Sequence, residues 1–258
     1  RLERLREAKE RLDAEEQQLK EKQAEKIRER EQEEAEMGRK KRGRKPTPPE
    51  EVELPEDTKA NTTDPASQIL KTSNGWKQGY NGQAMVDCDT QVIVAQDITT
   101  DANDVQQLKP MLENCKEVNG KRPEMALADA GYWSKANAQL ADKQTELFIA
   151  TTKDWKRRKE LREADPPRGR IPKWYGLKER MERKLRTKRG RGIYRKRSQS
   201  VEAVFGQHVT RGCDRFLLRG ETGAQAEWSL FSATHNLLKL WRSGRGPDGH
   251  EVADAIAR

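Results

Sequence analysis

Hydrophobic positions are sparse at the start of the chain and follow a seven-residue spacing. Residues 1–37 contain no Gly or Pro and consist mostly of Glu, Lys, Arg, Gln and Ala. Leu5, Leu12 and Leu19 repeat every seven residues, but the companion positions are polar, so only half of a coiled-coil seam exists. The pattern predicts a long solvated helix with i,i+4 ion pairs. A coiled coil that joins two chains weakly is the alternative interpretation.

Gly and Pro residues end this helix and predict a linker over residues 38–60. Its "RGRKP" core, residues 42–46, has the composition of a short arm that enters the DNA minor groove. A plain basic linker explains the same residues, and we favour that interpretation.

From residue 61 the pattern changes to short apolar runs that alternate with polar turns. Residues 79–99 predict a β-hairpin with strands at about 80–87 and 91–98 and a turn near Asp89 and Thr90. Two shorter apolar runs, "EMALADAG" and "ELFIATT", predict buried strands, the first of which ends at Asp129.

Helical patterns separate these strands. Residues 101–118 predict a helix that Asp101 or Asn103 caps and that Pro110 interrupts or kinks. Its apolar stripe consists of Val105, Leu108, Met111 and Leu112. Ser134 is expected to cap a further helix through about Leu140. The order of elements predicts an α/β fold with a mixed sheet flanked by helices.

The last third of the core predicts two amphipathic helices. The first runs from about residue 194 to Val209 and buries Val201, Val204, Phe205 and His208, with His208 as a packing residue. The second spans residues 227–242. The core is thus expected over residues 61–242, and residues 243–258 are expected to form a flexible tail.

Composition changes this picture by locating a strong positive charge. The chain is only 33% hydrophobic but 37% charged, with a net charge of +9. Residues 151–197 contain 20 Lys or Arg against 6 Asp or Glu, so the basicity is local and points to a nucleic acid. Trp155, Trp174 and Tyr175 lie in or beside the basic insertion at 153–193, where they either stack on unpaired bases or pin it to the core.

Cysteine usage and hydropathy exclude several classes of protein. Cys88, Cys115 and Cys213 are too few and too far apart for a disulfide framework or a zinc site, which fits a reducing cytosol. No apolar run approaches the roughly 20 residues that span a bilayer. The chain begins with Arg1, so we expect it to be a piece of a longer protein.

Two carboxylates are candidates for chemistry. Asp129 ends a predicted strand, and Glu202 lies on a later helix beyond the basic insertion. Carboxylates brought together in a basic groove are what two-metal phosphoryl transfer needs, since Mg²⁺ and Mn²⁺ prefer oxygen ligands. Taken alone, each residue is better explained without metal, Asp129 as a turn former or helix cap and Glu202 as a member of a surface ion pair.

Several ordered motifs resemble one family. "ALADAGYWS" and "YRKRSQSVEAVFGQ" resemble the second and third acidic motifs of bacterial insertion-sequence transposases of the DDE type. Four further segments resemble the same family and occur in the same order, namely "TDPASQILKTSNGWKQGYNGQAMVD", "TTDANDVQQLKPML", "IATTKD" and "FLLRGETGAQAEWSLFSATHNLLKL". The resemblance covers nearly all of residues 1–242. It implies an RNase H-like fold that cuts and joins DNA at element ends with three carboxylates and a two-ion Mg²⁺ or Mn²⁺ site.

The resemblance also implies roles for single residues. Asp129 matches the second acid and Glu202 the third, while Tyr194 and Arg197 resemble the Tyr and Arg that contact DNA near the active site. The match is imperfect, because Tyr194 lies eight rather than seven residues before Glu202 and Val209 replaces a Lys.

No residue matches the first acid of the family, which lies on a strand before the charged helix. Asp64, Asp87 and Asp89 lie in turns, where Asp is ordinary, so none is promoted to that role. The expected RNase H-like sheet therefore lacks its first strand, and the chain is expected to be a fragment that binds metal weakly and does not cleave DNA.

Three functional interpretations remain. The first is a DDE transposase catalytic domain, incomplete here. The second is a non-catalytic DNA-binding or regulatory fragment that pairs with full-length transposase, and the third is a nuclease of the same fold. We expect a cytoplasmic, nucleoid-associated bacterial protein that forms homo-oligomers on DNA. The expected DNA contacts are Tyr194, Arg197, Lys156, Arg157, Arg158, Lys188, Arg189, Arg191 and Arg195.

Overall fold

The computed structural model describes residues 2–40, 43, 45–56, 58–72 and 75–244. Both arginines of the RGRKP arm, Arg42 and Arg44, and the tail from residue 245 onward lie outside these residues. The expectations of a minor-groove arm and of a flexible tail therefore stay predictions.

The predicted N-terminal helix is present as α1, Leu2–Met37. Ala8 is its one buried residue among those described, and Leu5 and Leu19 are exposed. Ion pairs between Lys20 and Glu16, and between Arg30 and Glu34, join successive turns as expected. The helix is therefore solvated within one chain, and the dimerisation coil stays a prediction.

Six strands form the β structure of the described residues. They are β1 (Gln68–Thr72), β2 (Gly75–Gly79), β3 (Asn81–Val86), β4 (Ile93–Thr99), β5 (Met125–Ala128) and β6 (Glu146–Ile149). β1 pairs with β2 and β3 with β4, both antiparallel, while β5 and β6 are parallel. The mixed α/β character is confirmed, and the β3–β4 hairpin has the predicted position.

The prediction of one mixed sheet is wrong for the described residues, because they form three separate two-stranded sheets. β3 and β5 do not hydrogen bond to each other, since a groove lies between them. The β1–β2 hairpin was not predicted at all. Its Ile69 and Trp76 are exposed, so it has no buried face that would produce an alternating pattern.

The helix after β4 has a two-part start. Asn103, rather than Asp101, caps a 3₁₀ turn over Asp104–Gln107, and α2 follows at Leu108–Asn119. Pro110 therefore lies in the first turn of α2, where its missing N–H costs nothing, and the predicted kink is wrong. The predicted Ser134 cap is confirmed, since its hydroxyl accepts a bond from the Asn137 amide at the start of α3, Lys135–Gln139.

Four helices complete the chain. They are α4 (Trp155–Glu163), α5 (Leu177–Arg186), α6 (Lys188–Thr210) and α7 (Glu221–Arg242). The predicted start of α6 near residue 194 is too late, because the Thr187 side chain accepts a hydrogen bond from the Gly190 amide and begins the helix at Lys188. The last part of the basic insertion is thus the first two turns of α6.

Apolar side chains from α2 bind the β5–β6 pair. Leu108 and Leu112 pack against a cluster of small and branched residues on these strands, namely Ala126, Ala128, Leu147 and Ile149. α7 binds the other sheet through β4, where the Asn236 side chain bonds both the N–H and the carbonyl of Ile93. As predicted, His208 of α6 is buried, and its ring packs edge-on against Trp228 at 5.2 Å.

Candidate functional site

Asp129 lies directly after β5, at the point where the buried strand reaches the surface. Its Oδ1 accepts a hydrogen bond of 2.7 Å from the Gly131 amide. A Cβ at position 131 would lie 2.9 Å from this oxygen and 3.0 Å from Oδ2 of Asp104. A larger residue at position 131 would therefore push at least one of the two carboxylates aside.

Arg197 joins the two predicted catalytic acids. Its Nη2 lies 3.1 Å from Oδ2 of Asp129, and its Nη1 lies 3.4 Å from Oε1 of Glu202. Arg197 and Glu202 both belong to α6, so this helix brings Glu202 to the end of β5. The Arg197 side chain is 19% exposed and that of Glu202 is 65% exposed, so the pair opens to solvent on the Glu202 side.

Tyr194 ties α6 to the same strand end. Its hydroxyl donates to the Ala128 carbonyl at 3.1 Å, one residue before Asp129. Burial raises the pKa of Tyr194, so the phenol stays protonated and keeps this donor role. Its predicted contact with DNA is not tested by this geometry.

Asp104 is a neighbour that the sequence did not single out. Its Oδ1 accepts hydrogen bonds from Nδ2 of Asn81 at 2.8 Å and from Nε2 of Gln83 at 2.9 Å. Tyr132 completes this network by donating its hydroxyl to Oε1 of Gln83, and burial followed by the charges of Asp104 and Asp129 raises the pKa of Tyr132. In the sequence, Asp104 is one of several polar residues in a capping segment, and no spacing sets it apart.

The three turn aspartates that were not expected to be the first acid stabilise local structure. Asp64 accepts hydrogen bonds from the Tyr80 hydroxyl at 2.9 Å and from the Gly220 amide at 3.1 Å. Asp87 accepts from the amide and hydroxyl of Thr90, which lowers the pKa of Asp87. Asp89 pairs with Lys196 at 2.6 Å.

The oxygen donors of Asp129 and Glu202 fit a hard divalent cation, and both already face the same positive charge on Arg197. Across the described part of the chain, however, no three His, Cys, Asp or Glu side chains are arranged to hold a metal ion. The structure thus brings together two predicted ligands and no complete set of three.

The predicted DNA contacts of the basic insertion divide into two groups. Arg157, Arg189 and Arg191 bind within the protein: Arg157 pairs with Glu182 and Glu160, Arg189 with Glu146 at 2.6 Å, and Arg191 donates to the Ala164 carbonyl. The exposed members are Lys156, Arg158, Lys188 and Arg195. Arg157 and Arg189 are also more than half exposed, so the two groups differ in their partners within the protein rather than in their access to solvent.

Glu146 anchors the insertion to the core. It receives Arg189 from α6 and Lys184 from α5, the latter at 3.0 Å. Its hydrogen bond from Arg189, followed by that from Lys184, lowers the pKa of Glu146 to about 2.

The two tryptophans of the insertion are exposed, Trp155 by 66% and Trp174 by 84%. The interpretation that these indoles pin the insertion to the core is therefore wrong. Tyr175 lies edge-on to Trp174, with ring centroids 6.5 Å apart.

A groove of about 740 Å³ separates β3 from β5, and we call it the β3–β5 groove. Asp129, Arg197 and Glu202 line it near the end of β5, together with Asp104 and Tyr132. The acidic pair therefore lines a large cleft, and clefts are the usual position of a functional site.

None of the described helices is long and apolar enough to cross a membrane. No curated protein and no solved structure matches this chain. A family model described as "Transposase DDE domain" matches residues 51–237, a range that includes Asp129, Arg197 and Glu202. The chain belongs to the family of the transposase DDE domain.

Proposed function

We propose that this chain carries part of the active site for metal-dependent cleavage and strand transfer of insertion-sequence ends. Membership of the DDE family implies an enzyme of DNA phosphoryl transfer. The observation that carries the proposal is the convergence of Asp129 and Glu202 on Arg197, because these acids come from positions 73 residues apart. A purely structural ion pair with Arg197 would need only one of the two carboxylates.

Asp129 and Glu202 would hold Mg²⁺ or Mn²⁺. Such ions activate an attacking water or 3′-hydroxyl and stabilise the leaving oxygen when bound. Tyr194 holds the end of β5 against α6 through the Ala128 carbonyl, and the Gly131 amide orients Oδ1 of Asp129. Oδ2 of Asp129 and the exposed carboxylate of Glu202 would be the oxygens available to hold the cation in place of Arg197.

The acidic set is one member short, and we propose that the missing acid belongs to a strand absent from this chain. Asp104 lies close, but two side-chain amides bind its Oδ1 and hold it in the hairpin network. The separation of β3 from β5 by a groove supports a sheet that is one strand short of an RNase H-like arrangement. Alone, the chain should bind metal weakly and not cut DNA.

DNA is proposed to lie along the exposed cations of the insertion. Lys156, Arg158, Lys188 and Arg195 contribute phosphate contacts, and exposed indoles can stack on unpaired bases. Replacing Lys156 and Arg158 with Gln should reduce the slope of log affinity against log salt by roughly 2, about one per lost contact. Replacing Arg157 and Arg189 instead should change stability more than the slope, because both bind carboxylates within the protein.

The experiment that tests the active site is metal binding to the purified chain. Free Mn²⁺ is measured by electron paramagnetic resonance for the wild type, Asp129→Asn and Glu202→Gln, with Asp89→Asn as a control for charge at a surface turn. Both active-site variants should bind less Mn²⁺ and keep their DNA affinity. Equal Mn²⁺ binding by all four proteins would contradict the proposal, and Mg²⁺-dependent cutting by the wild-type chain would contradict its incompleteness.

A second candidate is a non-catalytic fragment that binds element ends and pairs with full-length transposase in the nucleoid. The occupation of both acids by Arg197 favours it, since a charge-neutral pair can persist without metal. Under this function, Asp129→Asn and Glu202→Gln should leave DNA binding unchanged or tighter, and inhibition of the full-length enzyme should survive both substitutions. Loss of inhibition in both variants would exclude it. Both candidate functions include a homo-oligomer on DNA and a cytoplasmic location.

A further inference from the structure

The β1–β2 hairpin is a two-stranded ribbon with one open face. Ile69 lies opposite Gln78 across the hairpin. Lys71 lies opposite Trp76, and directly opposed residues share a face, so these four side chains lie together. We call this the outer face. All four of its positions are exposed, and among the described residues no third strand pairs with the hairpin.

The outer face carries an apolar pair beside a cation. Ile69 is 40% exposed and Trp76 is 69% exposed. Nζ of Lys71 lies 5.9 Å from the centroid of the Trp76 ring, and this cation–π contact stabilises the pairing of the two strands. It leaves most of the indole in water, and a two-stranded hairpin is only marginally stable by itself. Packing within the described part of the chain therefore does not explain the exposed indole.

The ribbon is positively charged and contains no acid. Residues 65–86, which include β1, β2 and β3, contain Lys71 and Lys77 but neither Asp nor Glu. In the whole chain about one residue in six is acidic, with 43 Asp and Glu among 258 residues. A long segment that carries cations and excludes acids suits a polyanionic ligand.

The base of the hairpin lies next to Asp129. Only Tyr80 separates β2 from β3, and the Asn81 side chain at the start of β3 donates to Oδ1 of Asp104 at 2.8 Å. A Cβ on Gly131 would lie within 3.0 Å of both Asp104 and Asp129. The hairpin therefore begins beside the proposed active site.

The basic insertion lies on the other side of this site. Lys184 and Arg189 bind Glu146 of β6. β6 pairs with β5 on the side away from the β3–β5 groove, whereas the hairpin continues into β3 on the far side of that groove. DNA that runs from the insertion across the acids therefore reaches the hairpin.

We propose that the β1–β2 hairpin binds the major groove of duplex DNA beside the active site. Ile69 and Trp76 contact base edges. Lys71 and Lys77 contact phosphates. The major groove is about 12 Å wide and admits a two-stranded ribbon, and the thymine methyl groups that line it offer apolar surface to an isoleucine and an indole. Five residues in each strand, at about 3.3 Å each, cover roughly five base pairs.

The choice of DNA as the ligand rests on the proposed function, whereas the groove and the contacting residues follow from the hairpin. The test compares two short fluorescein-labelled duplexes of alternating A·T and T·A pairs in the absence of metal. One contains thymine and the other deoxyuridine, which lacks only the methyl group in the major groove. The wild-type chain should bind the thymine duplex more tightly, by about fourfold for each methyl group that the hairpin covers. Anisotropy measures both affinities.

Two double variants locate the apolar contact. Ile69→Ser with Trp76→Ser should remove the preference for thymine. Leu237→Ser with Trp241→Ser is the matched control, because these residues are an exposed leucine and an exposed tryptophan on α7. The control should keep the full preference for thymine.

A second measurement keeps the apolar residues of the hairpin unchanged. Lys71→Gln with Lys77→Gln should reduce the slope of log affinity against log salt by roughly 2, about one for each lost phosphate contact. Lys109→Gln with Lys116→Gln removes two exposed cations of α2 and should leave the slope unchanged.

Four results would overturn the proposal. They are equal affinity of the wild-type chain for the two duplexes, a thymine preference that survives in the serine variant of the hairpin, an unchanged salt slope in its glutamine variant, and binding of neither duplex. Lys156→Gln with Arg158→Gln tests the insertion by its own salt slope and should keep the preference for thymine. Mn²⁺ binding tests the acids separately, so failure of this proposal is distinguishable from failure of the proposed function.

Discussion

Replacement of Arg197 with Met should tighten the binding of Mn²⁺. The guanidinium lies 3.1 Å from Asp129 and 3.4 Å from Glu202, so a cation at this position competes with it for both carboxylates. Methionine keeps a long, flexible side chain and removes only the charge and the donors. The substitution also leaves two negative charges close together, which a divalent ion relieves.

The magnitude follows from the exposure of the two ion pairs. The side chains of Asp129 and Glu202 are 43% and 65% exposed, so solvent screens both contacts. Pairs of this kind contribute about 0.2–1 kcal/mol each, and both together about 0.4–2 kcal/mol. Because about 1.4 kcal/mol corresponds to a factor of ten, the dissociation constant for Mn²⁺ should fall roughly 2- to 30-fold.

Arg195→Met is the matched control, because Arg195 is exposed on the same helix and within the described residues makes no ion pair. Both variants lose one positive charge, so any general effect of net charge is the same in each. Free Mn²⁺ is measured by electron paramagnetic resonance at fixed ionic strength. An equal gain in affinity in both variants, or weaker binding in Arg197→Met, would refute the reasoning that Arg197 occupies the cation position.

Three further predictions concern stability. His208→Leu should raise the melting temperature, since neither ring nitrogen of buried His208 has a partner among the described residues and such groups cost about 1–3 kcal/mol. Because burial lowers the pKa of His208, the wild type loses stability as the pH falls below about 6.5. The difference in melting temperature between the variant and the wild type should therefore widen from pH 7 to pH 5. Glu146→Gln should lower the melting temperature at neutral pH. Because the pKa of Glu146 is lowered to about 2 in the folded chain, this decrease in melting temperature should have its full size above pH 4.5 and shrink as the pH falls toward 2. A decrease that stays constant over that range would contradict the ion-pair explanation. Gly190→Ala should lower the free energy of unfolding in urea by more than about 2 kcal/mol, since its Cβ would lie 2.0 Å from the Lys184 carbonyl oxygen. In the control Gly192→Ala, the Cβ meets nothing within 4 Å, so this substitution should stabilise α6 by up to about 1 kcal/mol.

Local signals in the sequence predict much of the local structure. The short apolar run before Asp129 predicts β5, and Ser134 predicts the start of α3, because each signal acts on its own residues. Asp101 and Asn103 are equivalent as caps in the sequence, and only the backbone conformation at Asn103 decides between them. The β1–β2 hairpin also carries a local signal, since the sequence has Asn-Gly at 74–75, a dipeptide typical of tight hairpin turns.

Tertiary pairing explains what the sequence could not predict. The position of Glu202 beside Asp129 depends on how α6 crosses β5, and the bridge through Arg197 exists only once that crossing is made. Asp104 enters the site in the same way, through amides on β3 that are distant in sequence. The resemblance to the DDE family therefore singled out Asp129 and Glu202 as the expected acids, but the bridge that Arg197 makes between them and their neighbour Asp104 come from the packing of helices on strands.

The unbroken course of α6 has a mechanical consequence. Lys188 at its first turn and Glu202 belong to one continuous helix, fourteen positions apart. At 1.5 Å per residue the two side chains are separated along the axis by about 21 Å, which corresponds to roughly six base pairs of duplex at 3.4 Å each. If the first turn holds a phosphate as proposed, α6 would keep that phosphate at a fixed distance from Glu202. Lengthening α6 by one residue would change this distance and rotate the two side chains relative to each other.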